Sequence, residues 1–88
     1  MSHIEWNQTA NISYRALRGE DRKNIDRILS ALSPADLIED SQKLNPDLYV
    51  YRVPPFLRLL FKLEGSSIRV MDILDKRVIE SFLGKKIA

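Results

Sequence analysis

The sequence predicts an α+β domain of order β-α-α-β-β-β-α. An N-terminal helix hairpin packs on a mainly antiparallel four-stranded sheet, followed by a short C-terminal helix. Three observations carry this reading. Ile25, Ile28, Leu29 and Leu32 recur at i, i+3, i+4 and i+7, a single apolar stripe on a helix. Residues 49–63 alternate with a period of two on either side of Pro54-Pro55, as paired strands do. No linker divides the 88 residues, so 1–88 reads as one domain. A chain of this size buries roughly 60–65% of the surface its unfolded form exposes.

The elements follow in order. "HIEW" alternates, with Ile4 and Trp6 on one side, and suits a first strand. Asn7 can cap a helix running to about Leu17, with Ala10, Tyr14 and Leu17 at helical spacing; Gly19 ends or hinges it. The second helix spans Glu20 to Leu32, with Glu20 and Asp21 in its first turn, where the helix dipole favours them. Ser33 as cap and Pro34 at the first helical position predict a short helical turn, then a polar connection closing on "NPD". Tyr49, Tyr51 and Val53 alternate with Val50 and Arg52. Leu57, Leu59, Phe61 and Leu63 alternate with Arg58, Leu60 and Lys62. Gly65 in "EGSS" predicts a hairpin turn, and "IRVMDIL" a central strand, apolar on both faces apart from Arg69 and Asp72. Asp75 can cap a last helix with Ile79, Phe82 and Leu83 on one side and Gly84 beyond its end.

Composition excludes several functions. There is no cysteine and a single histidine, His3, so no disulfide framework, cysteine nucleophile or His/Cys metal site is expected. No cofactor motif, paired carboxylates, triad or P-loop appears. No apolar run approaches the ~20 residues of a membrane span. "MSHIEWNQTA" lacks the apolar core of a secretory signal, so a cytoplasmic protein is expected. The net charge of +2 is unevenly placed. Residues 1–48 hold six Lys/Arg against eight Asp/Glu, whereas residues 49–88 hold eight against four. The basic half favours an anionic partner, with a plain solvated surface as the alternative.

That half contains the arginine pair. If Pro54 to Phe56 form the loop, Tyr49 faces Phe61, Tyr51 faces Leu59 and Val53 faces Leu57. The same register sets Arg52 directly opposite Arg58 on the other face of the sheet. Like charges so placed are unfavourable by up to about 1 kcal/mol. An anion held between them accounts for the arrangement, because guanidinium groups form forks that fit phosphate. Neutralisation by Asp72 or Glu80, or a looser register, accounts for it equally well.

The element order, together with "KLNPDLYVYRVPPFLRLLFKLEGSSIRVMDILDKRVIESF", resembles the RelE/ParE superfamily of bacterial type II toxin–antitoxin toxins, and is closer to the RelE branch. Lys43-Leu44, Arg52, Arg58 and the final aromatic Phe82 stand at the family's marked positions. The resemblance covers nearly the whole chain. It implies a ribosome-dependent mRNA interferase that cuts mRNA by attack of a ribose 2′-hydroxyl on the adjacent phosphate. It also implies a cognate antitoxin, the ribosome and mRNA as partners, a toxin–antitoxin hetero-oligomer, and no cofactor.

By that resemblance Arg58 grips the scissile phosphate. Arg52 occupies a basic position that is often lysine in cleaving members; it can stabilise charge but is a poor base. The strand's other lysine position falls on Val50. Lys76, with Arg77 as its alternative, stands where an arginine would stabilise the leaving oxygen; a helix-start cation on a solvated surface accounts for either residue equally well. Phe82 replaces a tyrosine; it can stack on a base but cannot exchange a proton, and its spacing to Ile79 and Leu83 also fits a core position. Lys62 shares the Arg58 face and is placed to touch the RNA backbone. The catalytic set is thus matched in part. The resemblance leaves two further readings: a non-enzymatic ParE-type gyrase inhibitor, and a catalytically decayed antitoxin-binding module.

Overall fold

The structure, a computed structural model, describes residues 4–78. Strand β1 (Ile4–Trp6) passes into helix α1 (Gln8–Ala16) through Asn7. The Asn7 side-chain oxygen accepts the Ala10 N–H at 2.7 Å, while its own N–H donates to the Val70 carbonyl at 3.1 Å. One residue therefore caps the helix and prolongs the strand's ladder. Helix α1 ends one residue earlier than expected, as Leu17 turns extended. Gly19 neither ends nor hinges it, and is instead the first residue of α2 (Gly19–Ala31). The carbonyls at the end of α1 are satisfied by Arg22 of the next helix, which donates to Leu17 at 2.6 Å and Arg15 at 3.3 Å. Glu20 and Asp21 lie in the first turn of α2, as anticipated. The Ser33-Pro34 signal gives α3 (Pro34–Glu39), with the Ser33 hydroxyl accepting the Asp36 N–H at 3.2 Å.

Among the described residues the sheet has five strands rather than four. Within the presumed polar connection, Gln42–Asn45 forms β2, an edge strand antiparallel to β3 (Leu48–Val53). Its backbone pairs although its side chains are mostly exposed. Strand β4 (Leu57–Glu64) and β5 (Ser67–Asp75) complete the order β1-β5-β4-β3-β2, in which only β1 and β5 run parallel. The β3–β4 register is the expected one: Tyr49 opposite Phe61, Tyr51 opposite Leu59, Val53 opposite Leu57. Gly65, with φ of 63°, supplies the left-handed backbone of the β4–β5 turn. Strand β5 is central, as its two apolar faces imply, but it carries a bulge. Leu60 pairs with Asp72 and Phe61 with Val70, leaving Met71 as the extra residue.

The helices cover one face of this sheet. Val53, Leu59, Val70 and Ile73 are buried with Ala10 of α1 and Ile25 of α2; Phe61 and Ile68 are buried with Leu37 of α3. Tyr49 stacks on Phe61 at 5.4 Å between ring centroids, and Trp6 meets Tyr14 edge-on at 5.1 Å. The Tyr14 hydroxyl donates to Asp26 at 2.7 Å, tying the two long helices together. A helix begins at Lys76–Val78, and Asp75 caps it by accepting the Arg77 N–H at 2.8 Å. The expected stripe of Ile79, Phe82 and Leu83, with Gly84, Glu80 and His3, lies outside the described residues. Among those described, no helix is long and apolar enough to cross a membrane.

Phe61 joins the β4 interior to α3 and is fully buried. Phe61→Ala is expected to cost about 3–5 kcal/mol in urea unfolding, while Ile12→Ala on the exposed side of α1 should stay within about 0.5 kcal/mol.

Candidate phosphate-binding site

On β3 and β4 the residues between the core positions point away from the helices. Arg52 and Arg58 are direct cross-strand partners there, next to the Pro54–Phe56 loop. Arg52 is exposed and Arg58 half-buried. Arg58 donates from Nη1 to the Leu57 carbonyl at 2.9 Å, which positions its fork beside the strand. Among the described residues, neither arginine pairs with a carboxylate.

Asp72, the expected neutralising candidate within the sheet, is engaged elsewhere. Its Oδ1 accepts the Ser13 hydroxyl at 2.6 Å and the Ile73 N–H at 2.8 Å. The β5 bulge adjoins Asp72, and the carboxylate serves the joint between α1 and β5. Glu80, the other candidate, is outside the described residues. Four other cations lie on β4, β5 and the start of the last helix. Arg69 forks between Glu5 at 3.1 Å and Glu64 at 3.0 Å; these bonds, with the Glu64 hydrogen bond foremost, raise its pKa further. Arg77 folds back on Asp75, at 3.1 Å from Nε to Oδ1 and 3.3 Å from Nη2 to Oδ2. Lys62, half-buried on the Arg58 face, and Lys76 make no ion pair among the described residues.

Lys76 is brought to the arginine end of the sheet by its backbone. Its N–H donates to the Phe56 carbonyl at 2.7 Å, adding one pair to the β4–β5 ladder beyond Leu57 and Asp75. The bond brings Phe56, in the β3–β4 loop, and Lys76, at the start of the last helix, to the end of the sheet that carries the arginines. Arg52, Arg58 and Lys76 thus share one end of the sheet, whereas Arg77 is bound to Asp75 and Phe82 is not among the described residues. Val50 is buried on the same face, 6% exposed, and offers no chemistry. The residue that the sequence reading left without a role is Phe56, 57% exposed beside the arginines. Its signal was an aromatic placed at a loop tip, after two prolines and outside either strand's apolar set.

No protein-family model and no curated protein matches this sequence. Solved structures do. RelE in a RelB–RelE antitoxin–toxin complex from Methanococcus jannaschii superposes with a TM-score of 0.72 at 18% identity, covering 89% of this chain and 96% of that one. An E. coli RelE mutant in complex with an antitoxin RelBc peptide gives 0.70 at 17% identity, covering 99% and 98%. YafQ from E. coli gives 0.67 at 12% identity, covering 90% and 98%. The chain has the fold of the RelE-type toxins, the fold that its resemblance to the RelE/ParE superfamily implied.

Two measurements check this electrostatic picture. Because the facing arginines repel, Arg52→Thr is expected to raise stability by up to about 1 kcal/mol in denaturant unfolding. The Arg77 side chain, and then its backbone N–H, hold the Asp75 carboxyl below its ordinary value. A depressed folded-state pKa contributes stability that is present above the unfolded pKa and lost as pH falls through the folded one. In Arg77→Ala the Asp75 titration followed by NMR should move up toward the ordinary carboxylate range, and the acid limb of the stability profile should flatten.

Proposed function

We propose that this protein is the toxin of a type II toxin–antitoxin pair and acts as a ribosome-dependent mRNA interferase. The observation that carries the reading is the Arg52–Arg58 pair, forced together by register and uncompensated by any carboxylate among the described residues. A phosphodiester between the two forks would relieve their repulsion and accept charge-assisted hydrogen bonds from both. The fold it shares with RelE and YafQ supports the same reading.

In this mechanism the ribose 2′-oxygen attacks the adjacent phosphorus. The bond to the 5′-oxygen breaks, leaving a 2′,3′-cyclic phosphate and a 5′-hydroxyl. Negative charge builds first on the phosphate oxygens and then on the leaving oxygen. Arg58 grips the phosphate, Arg52 shares the developing charge, and the Lys76 ammonium faces the leaving oxygen. Neither arginine removes the 2′ proton at neutral pH, so the contribution of these two residues is electrostatic. Lys62 extends the cationic face along the RNA backbone; Arg77 and Phe82 are further contacts at the C-terminal end. A cognate antitoxin masks this basic face, in a hetero-oligomer like the complexes in which RelE, YoeB and YafQ were solved.

One observation favours a second reading. Val50 is buried at a position where cleaving members of the superfamily carry a lysine. A chain that lacks this group fits a non-enzymatic, gyrase-binding toxin of the ParE type.

Expression without antitoxin, followed by mapping of mRNA 5′ ends, separates the two. Cuts inside translated codons that vanish when initiation is blocked are expected, with Arg58→Ala lowering the cutting rate about 10²–10³-fold while the fold persists. Undiminished cutting by Arg58→Ala removes its role. Growth arrest with intact messages and gyrase-linked DNA breaks makes the protein a ParE-type toxin, and absence of toxicity makes it an antitoxin-binding module.

A further inference from the structure

Phe56 is an aromatic side chain that the core does not use. It is 57% exposed and packs against neither buried cluster. An exposed phenyl ring gives up the stabilisation of burying its apolar surface. Its backbone is nevertheless held. Two prolines of restricted φ precede it, and its carbonyl is held by the Lys76 N–H at 2.7 Å. That bond holds the Phe56 backbone against the start of the last helix, two residues before Arg58 and at the arginine end of the sheet. An exposed ring on a held backbone, in the loop that joins the two arginine-bearing strands, offers what single-stranded nucleic acid requires, a flat apolar surface for a base and cations for its phosphate.

We propose that Phe56 is a nucleobase-stacking platform, receiving the base of the nucleotide whose phosphate lies between Arg52 and Arg58. This rests on the phosphate-binding reading of that pair. The ligand class is single-stranded RNA, since a base inside a duplex has no free face to offer. Every base has a π-face, so the platform imposes register along the strand with little base preference. The charges distinguish this ligand from an apolar protein segment. Arg52 and Arg58 have no carboxylate partner among the described residues, and an apolar helix laid over Phe56 would leave both without one.

The test is binding of a fluorescent, 2′-O-methylated single-stranded RNA hexamer, which cannot be cleaved by its own 2′-oxygen. Anisotropy is read at several salt concentrations for the intact chain and for Phe56→Ala, Phe56→Leu, Phe56→Trp and Arg58→Ala, each first checked for folding by circular dichroism. Phe56→Ala and Phe56→Leu should each weaken binding roughly 5- to 100-fold, Phe56→Trp should retain it, and the salt slope should not change. An abasic version of the hexamer should bind all Phe56 variants alike. Arg58→Ala should lower the salt slope by about 0.7, one phosphate contact on a single strand.

Three results overturn the stacking role: Phe56→Leu binding as well as the intact chain, an equal loss on the abasic hexamer, or Phe56 variants that lose capture of an acidic apolar peptide while keeping RNA. If Arg58→Ala loses RNA and Phe56→Ala does not, the platform falls and the phosphate site stands. If the intact chain binds the hexamer no better than Arg58→Ala, the phosphate site falls and the platform with it.

Discussion

The pairing of β3 with β4 is the constraint on which the rest depends. Val53, Leu59 and Phe61 reach the core only in the observed register, and a slip of one residue would turn them to the solvent side. The Tyr49–Phe61 stack reinforces that choice from within the pair. Once the apolar set is committed, the facing of the intervening residues is no longer free. Arg52 and Arg58 meet because their neighbours must be buried, so the packing that stabilises the sheet also sets two like charges directly opposite each other.

Two other cations are neutralised by carboxylates. Arg69 sits between Glu5 and Glu64, and Arg77 lies along Asp75. Asp72 is close in sequence to both arrangements yet serves Ser13 of α1. At the end of the sheet defined by the Pro54–Phe56 loop and the start of the last helix, Arg52, Arg58 and Lys76 remain without an ion pair among the described residues.

Features set by nearest neighbours were legible in the sequence. The caps at Asn7, Ser33 and Asp75 are local hydrogen bonds, and the β3–β4 register follows from a short loop and a strict alternation. What was not legible depended on distant chain. Strand β2 pairs through its backbone at a sheet edge, where no apolar face is required, so "QKLN" carries no alternation to read. The bulge at Met71 lies in a strand apolar on both faces, which hides a change of phase. The partner of Asp72 is fixed by where α1 lands on the sheet. The arginine pair could be read; which cations remain available to it depended on carboxylates brought from other elements.

The parallel pairing of β1 with β5 has a bearing on biosynthesis. Glu5 and Arg69 are neighbours in the sheet but 64 positions apart in the chain. Such a contact closes late, because the loop entropy must be met before the pairing is rewarded. The first strand leaves the ribosome long before the one it must join. The nascent polypeptide consequently stays open at this edge until β5 has been made, and the parallel pairing follows the β3–β4 and β4–β5 hairpins.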